Sequence, residues 1–82
     1  ENNMWYVYVI KSSEGLIYTG MTQNLQSRLI KHNVGEVLST KKGSNWKIIY
    51  SEELSSSSQA RKREKYFKNN AGKEWLKRRK IL

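Results

Sequence analysis

The chain opens on an unbroken apolar and aromatic run, Trp5-Tyr6-Val7-Tyr8-Val9-Ile10, which predicts a strand covered on both faces. Side-chain alternation puts Tyr6, Tyr8 and Ile10 on one face and Trp5, Val7 and Val9 on the other. Lys11-Ser12-Ser13-Glu14-Gly15 is polar with glycine near its end, which predicts a turn. Leu16 to Thr19 returns as a second strand and closes an antiparallel hairpin. Beyond it the period lengthens. Thr22 or Asn24 can cap a helix that passes through Leu25 and Leu29 and ends near Asn33 and Gly35. At 3.6 residues per turn Leu25, Arg28, Leu29 and His32 share one side, so Arg28 and His32 flank the core-facing stripe.

Ser39 to Asn45, STKKGSN, reads as a polar basic loop, and Trp46 to Tyr50, WKIIY, as a third strand with Trp46, Ile48 and Tyr50 on one face. Ser56 with Gln59 fits a capping box and marks a helix start within a run of serines. Along that helix Ala60, Glu64, Phe67 and Ala71 recur at helical spacing, which sets Glu64 on the inward face. Gly72 is expected to break the helix, leaving Lys73 to Lys80 as a last, shorter one anchored by Trp75 and Leu76. The expected fold is α/β in the α+β sense: a small three-stranded antiparallel sheet flanked by about three helices.

Composition narrows what such a fold can do. At 82 residues the chain is one domain, expected over residues 4–80. Glu1, Asn2 and Asn3 precede the first methionine and are expected to be a frayed or added end. A domain this small must build a compact core, and three Trp, five Tyr and one Phe supply it. The absence of cysteine excludes disulfides and thiolate metal sites, and a single histidine argues against a multi-histidine zinc centre. The apolar runs are too short to span a membrane, and the start carries no secretory pattern, so a cytoplasmic location is expected.

Charge points to the partner. Sixteen Lys+Arg against seven acids give a formal net charge of +9. The excess is concentrated from Ala60 onward, in Arg61, Lys62, Arg63, Lys65, Lys68, Lys73, Lys77, Arg78, Arg79 and Lys80, against Glu64 and Glu74. So dense a basic field favours a polyanion, most often nucleic acid. A solvated helix tuned for solubility is the plain alternative. An anionic membrane surface fits less well, because the basic segment lacks a broad apolar face.

Within that field some residues stand out. A carboxylate such as Glu64 on an inward helix face needs a partner, either a divalent metal or a basic side chain such as Lys68 or Arg61. Arg28 carries a planar fork of donors that matches a phosphate, though a lone helix arginine is more often a surface residue. His32 can shuttle protons or can simply be structural. Tyr8 and Tyr18 can fill the core or, beside a metal and an arginine, activate a water.

Taken in order, Tyr8, Tyr18, Arg28, His32 and Glu64 resemble the GIY-YIG nuclease family, from about Trp5 to Trp75. Tyr6-Val7-Tyr8 stands at the first signature and Tyr18-Thr19-Gly20 at the second. Both depart from the family's name but keep each tyrosine and the final glycine. The family's helix arginine falls on Arg28, the His or Tyr one turn later on His32, and its metal-binding glutamate on Glu64. The chain looks most like compact stand-alone members, similar to the N-terminal nuclease domain of the excinuclease C subunit. The resemblance implies hydrolysis of DNA phosphodiesters with one Mg²⁺ or Mn²⁺ on Glu64, in repair or in processing of structured DNA.

Tyr8 is then expected to act as base or to orient the water, Arg28 to stabilise phosphoryl charge, and Tyr18 and His32 to assist. Gly20 is expected to let the phosphate approach the second strand. Lys41, Lys42, Arg61, Lys65 and Lys68 are the expected DNA contacts, and a protein partner is expected to direct targeting. A supporting asparagine known in many members has Asn69 and Asn70 as candidates, and an auxiliary lysine of some members is replaced by Met21. Two other readings stand beside the enzyme: a nucleic-acid-binding module that cuts poorly or not at all, and a basic accessory protein of a larger assembly.

Overall fold

A computed structural model describes residues 3–82, so the expectation for Glu1 and Asn2 lies outside the described residues. Its elements run β1 (Trp5–Lys11), β2 (Ile17–Thr22), α1 (Leu25–Asn33), a 3-10 turn (Leu38–Thr40), β3 (Lys47–Leu54), α2 (Ser57–Lys68) and α3 (Asn70–Arg78). Among the described residues the strands form one sheet in the order β2-β1-β3, antiparallel throughout. β1, apolar and aromatic up to Lys11, lies in the middle, where both of its edges pair with strands and both of its faces are covered. The expected three-stranded sheet with helices packed on it is present.

Each face of β1 carries its own cluster. Val7 and Val9 pack with Ala60, Phe67 and Leu76 of α2 and α3, joined by Tyr50, Leu54 and Trp75. Tyr8 and Ile10 pack on the other face with Trp46, Tyr18, Ile48 and the α1 residues Leu25 and Leu29. Val7, Val9, Ile10, Phe67 and Leu76 are all at most 1% exposed, and burial of such side chains stabilises the fold by roughly 1.5–3 kcal/mol each.

Local chemistry sets the helix starts. Asn24 caps α1 by accepting from the Ser27 amide at 3.0 Å, and Ser56 caps α2 by accepting from the Gln59 amide at 3.2 Å. Gln59 completes the box one residue further back, accepting from the Ser55 amide at 3.3 Å and its hydroxyl at 2.8 Å.

The structure departs from the sequence expectation in several places, beginning with β2, which covers Ile17–Thr22 and not Leu16 to Thr19. Val9 pairs with Tyr50 but Ile10 pairs with Ile48, which leaves Ile49 as a bulge. The extra residue reverses the alternation. Trp46 and Ile48 therefore face α1, while Ile49 and Tyr50 both face α2 and α3. Next, β3 runs on to Leu54, because its polar residues alternate with half-buried ones along a sheet edge. Finally, the helix breaks at Asn69, in extended conformation with φ −108° and ψ 177°, and not at Gly72. Gly72 lies inside α3, where a Cβ would meet the Tyr66 carbonyl oxygen and would lie 2.5 Å from the Phe67 Cα. Its role is the close approach of two helices. Since the break precedes it, Ala71 is exposed and leaves the inward stripe.

Candidate active site

Tyr8 projects from the middle of β1 and is 2% exposed. It lies directly opposite Gly20 of β2, where a Cβ would come within 2.6 Å of the tyrosine hydroxyl. The room that Gly20 provides is thus taken by the Tyr8 ring, which corrects the expectation that a phosphate approaches there. The Tyr18 ring flanks the pair, its centroid 6.5 Å from that of Tyr8 and 5.1 Å from that of His32.

From α1 come Arg28 and His32, one turn apart on the side that faces the sheet. His32 is 1% exposed, with Nε2 2.8 Å from the Tyr8 hydroxyl. Burial first, and the charge of Arg28 second, hold its pKa below the ordinary histidine value, so the ring is neutral near pH 7. Burial raises the Tyr8 pKa, partly opposed by Arg28. The resting group is therefore a phenol. Arg28 is held charged chiefly by its hydrogen-bonding interaction with Tyr8, against the cost of desolvation. Its Nε is buried without a hydrogen-bond partner. A buried donor left open is costly, and an anionic oxygen would satisfy it.

Glu64 reaches the site from α2. Its side chain is 17% exposed and lies close enough to raise the Tyr8 pKa slightly by its charge. Lys68 lies 3.3 Å from the Glu64 carboxylate and 5.8 Å from the Tyr18 ring centroid. The chain segments carrying Tyr8, Tyr18, Arg28, His32 and Glu64 are thus brought together around the hydroxyl of Tyr8. Among the described residues no cluster of three or more His, Cys, Asp or Glu could enclose a metal. A hard divalent cation that keeps most of its waters fits a single sheltered carboxylate such as Glu64.

Of the expected DNA contacts, Arg61, Lys65 and Lys68 are exposed and share one side of α2 with Glu64. Lys41 and Lys42 are exposed just after the 3-10 turn. Asn69 and Asn70 are exposed at the α2–α3 junction.

Two features escaped the sequence. Thr40, expected only as part of a polar loop, is 1% exposed and places its hydroxyl 2.7 Å from His32 Nδ1. No periodicity marks it, because the single 3-10 turn that carries it is too short to show one. The other is a clamp behind the site. Arg63 binds Glu52 with Nε at 2.5 Å and Nη2 at 3.1 Å and stacks over Tyr66 and Phe67. Glu52 also accepts from the Tyr50 hydroxyl at 2.6 Å, and burial with that carboxylate pushes Tyr50 up to about 12. The signal for it was the polar end of β3, which reads as loop until its partner on α2 is known.

Comparison with known proteins identifies the family and the fold. The family model of the GIY-YIG catalytic domain matches residues 4–79. A UPF0213 protein from Staphylococcus saprophyticus is 34% identical over 73 residues, covering 88% of this chain and 89% of its own. One from Halobacterium salinarum is 37% identical over 62 residues, covering 74% and 80%. The solution NMR structure of a UPF0213 protein from Bacillus halodurans superposes with a TM-score of 0.54 at 26% identity, covering 89% of this chain and 81% of that one.

Proposed function

The chain belongs to the GIY-YIG catalytic domain family, whose fold is that of a nuclease, and on that premise we infer that it is a metal-dependent DNA endonuclease. The observation that carries this reading is the buried Arg28 Nε, open beside a Tyr8 hydroxyl that already has a proton acceptor in His32. That arrangement suits a phosphate oxygen on the arginine and a water near the tyrosine.

Because burial keeps Tyr8 protonated, it can take a proton from water only by giving up its own. His32 Nε2, neutral and 2.8 Å away, supplies the outlet. As the water oxygen attacks phosphorus, its proton passes to the Tyr8 oxygen and the tyrosine proton passes to His32. The bond to the leaving oxygen breaks, and solvent protonates that oxygen. Arg28 stabilises the charge that gathers on the phosphoryl oxygens. Glu64 would hold Mg²⁺ or Mn²⁺; the ion supplies Lewis-acid charge to the phosphate when bound. Arg61, Lys65, Lys68, Lys41 and Lys42 would hold the strand, with any targeting left to a protein partner. Repair or processing of structured DNA, in the cytoplasm, is the setting proposed for this activity.

A second reading is favoured by the Glu64–Lys68 ion pair, since a carboxylate already neutralised competes poorly for metal. That reading is a nucleic-acid-binding module that cuts weakly or not at all. Labelled single-stranded, duplex, flap and branched DNA, incubated with Mg²⁺, Mn²⁺ or chelator, separates the two. The enzyme reading expects metal-dependent cutting that Glu64→Ala abolishes and Arg28→Ala lowers by ~10³-fold or more. Binding without cutting in the wild type would leave the module.

A further inference from the structure

His32 is the single histidine of the chain, it is fully buried, and both of its ring nitrogens are engaged. A neutral imidazole donates from one nitrogen and accepts at the other. Which is which decides whether Tyr8 can pass its proton on. If Nε2 carried the hydrogen, it would donate to the Tyr8 oxygen and the path would be closed. If Nδ1 carries it, Nε2 is free to accept.

The partner of Nδ1 points to the second arrangement. Thr40 Oγ1 lies 2.7 Å from Nδ1, and the hydroxyl donates to the Val37 carbonyl at 3.4 Å, an oxygen that can only accept. The Val37 carbonyl, though farther away than the ring nitrogen, gives the hydroxyl proton an acceptor of its own and so lets the hydroxyl offer a lone pair to Nδ1–H. The scaffold around Thr40 is tied on several sides. Its amide donates to the Val37 carbonyl at 3.1 Å, and its carbonyl accepts from the Trp46 indole at 3.2 Å and the Gly43 amide at 3.1 Å. Asn33, one residue past His32, holds the far end of the loop. Its Nδ2 donates to the Trp46 carbonyl at 3.1 Å and its Oδ1 accepts the Trp46 amide at 2.6 Å.

We propose that Thr40 is a positioning residue whose hydroxyl fixes His32 in the Nδ1–H tautomer, leaving Nε2 to accept the Tyr8 proton. The catalytic consequence rests on the nuclease reading; the tautomer does not. The competing role for Thr40 is shape alone, a small buried side chain filling space under Trp46.

Nitrogen-15 labelling of histidine in the full chain tests this with a single pair of ring signals. In wild type at neutral pH, Nδ1 is expected to appear protonated and Nε2 bare. Thr40→Ser, which keeps the hydroxyl, preserves that pattern. Thr40→Val, which keeps the shape, shifts it toward Nε2–H or a mixture and lowers kcat by roughly 10–100-fold with little change in KM. A wild-type ring carrying Nε2–H overturns the proposal, whether or not the variants fold. So does a folded Thr40→Val with an unchanged ring pattern. If the tautomer responds as stated while wild type cuts no DNA, the assignment of Thr40 stands and the nuclease reading falls.

Discussion

The Tyr8–His32 contact depends on one small neighbour, Gly20, and on a neutral imidazole, each for a physical reason. Gly20 is small because the Tyr8 ring lies over it. Gly20→Ala brings a Cβ within 2.6 Å of the hydroxyl and 3.1 Å of the Tyr18 ring. Such overpacking is expected to cost about 1–3 kcal/mol and to push the hydroxyl off His32. Thermal melts with cleavage assays check it: a folded variant with full activity would show that Tyr8 need not touch His32. His32 is neutral because it is buried, and that has a sign in pH. Its folded pKa lies below the ordinary value, so on acidification the unfolded chain takes up the proton first. Its contribution to stability is complete above about pH 6.5 and is lost as pH falls toward the lower folded pKa. The melting temperature of wild type is expected to drop as pH falls below about 6.5, before the carboxylates begin to titrate. A flat profile there would mean that His32 is not held neutral.

At the scale of elements, the site is the product of where segments cross. Strand β1 supplies Tyr8 on one face and the Val7–Val9 core on the other, so packing of α2 and α3 holds the strand that holds the tyrosine. The Arg63–Glu52–Tyr50 clamp ties α2 to β3, and with it the helix that carries Glu64. The crossing of α2 and α3 is fixed by Gly72. Gly72→Ala would gain up to about 1 kcal/mol of helix propensity, yet its Cβ would enter the backbone of α2. The expected outcome is a net loss of about 1–3 kcal/mol, read as a lower urea midpoint. A midpoint equal to or above wild type would contradict the close crossing. The presence of three strands, the Ser56 cap of α2 and the α1 stripe were legible because period and capping are local, while the α1 cap was narrowed only to Thr22 or Asn24. The bulge at Ile49 and the crossing at Gly72 were not, because each answers to a partner distant in sequence.

Across the whole molecule, a net charge of +9 sets how it meets a polyanion. Each phosphate contact releases counterions, so log K should fall with log salt at a slope of about −0.9 per contact on duplex DNA. Arg61→Ala and Lys65→Ala are each expected to reduce that slope by about 1 without changing sequence preference. Binding titrations at several salt concentrations test this, and unchanged slopes would move the DNA off the α2 stripe. Tyr8, Tyr18, Arg28, His32 and Glu64 stood out as candidates in sequence by order and residue type, but how the side chains meet was not readable there. By itself the sequence determined the element types, the double-faced central strand, the basic field and the family, since these follow from composition, periodicity and motif order. Only the tertiary structure decided that Thr40 faces Nδ1 of His32, that the Tyr8 ring fills the space over Gly20, and that Arg28 Nε is left open. Contacts between segments far apart in the chain leave no local pattern, and burial, which shifts the charge state of His32 and Tyr8, exists only once those segments have packed.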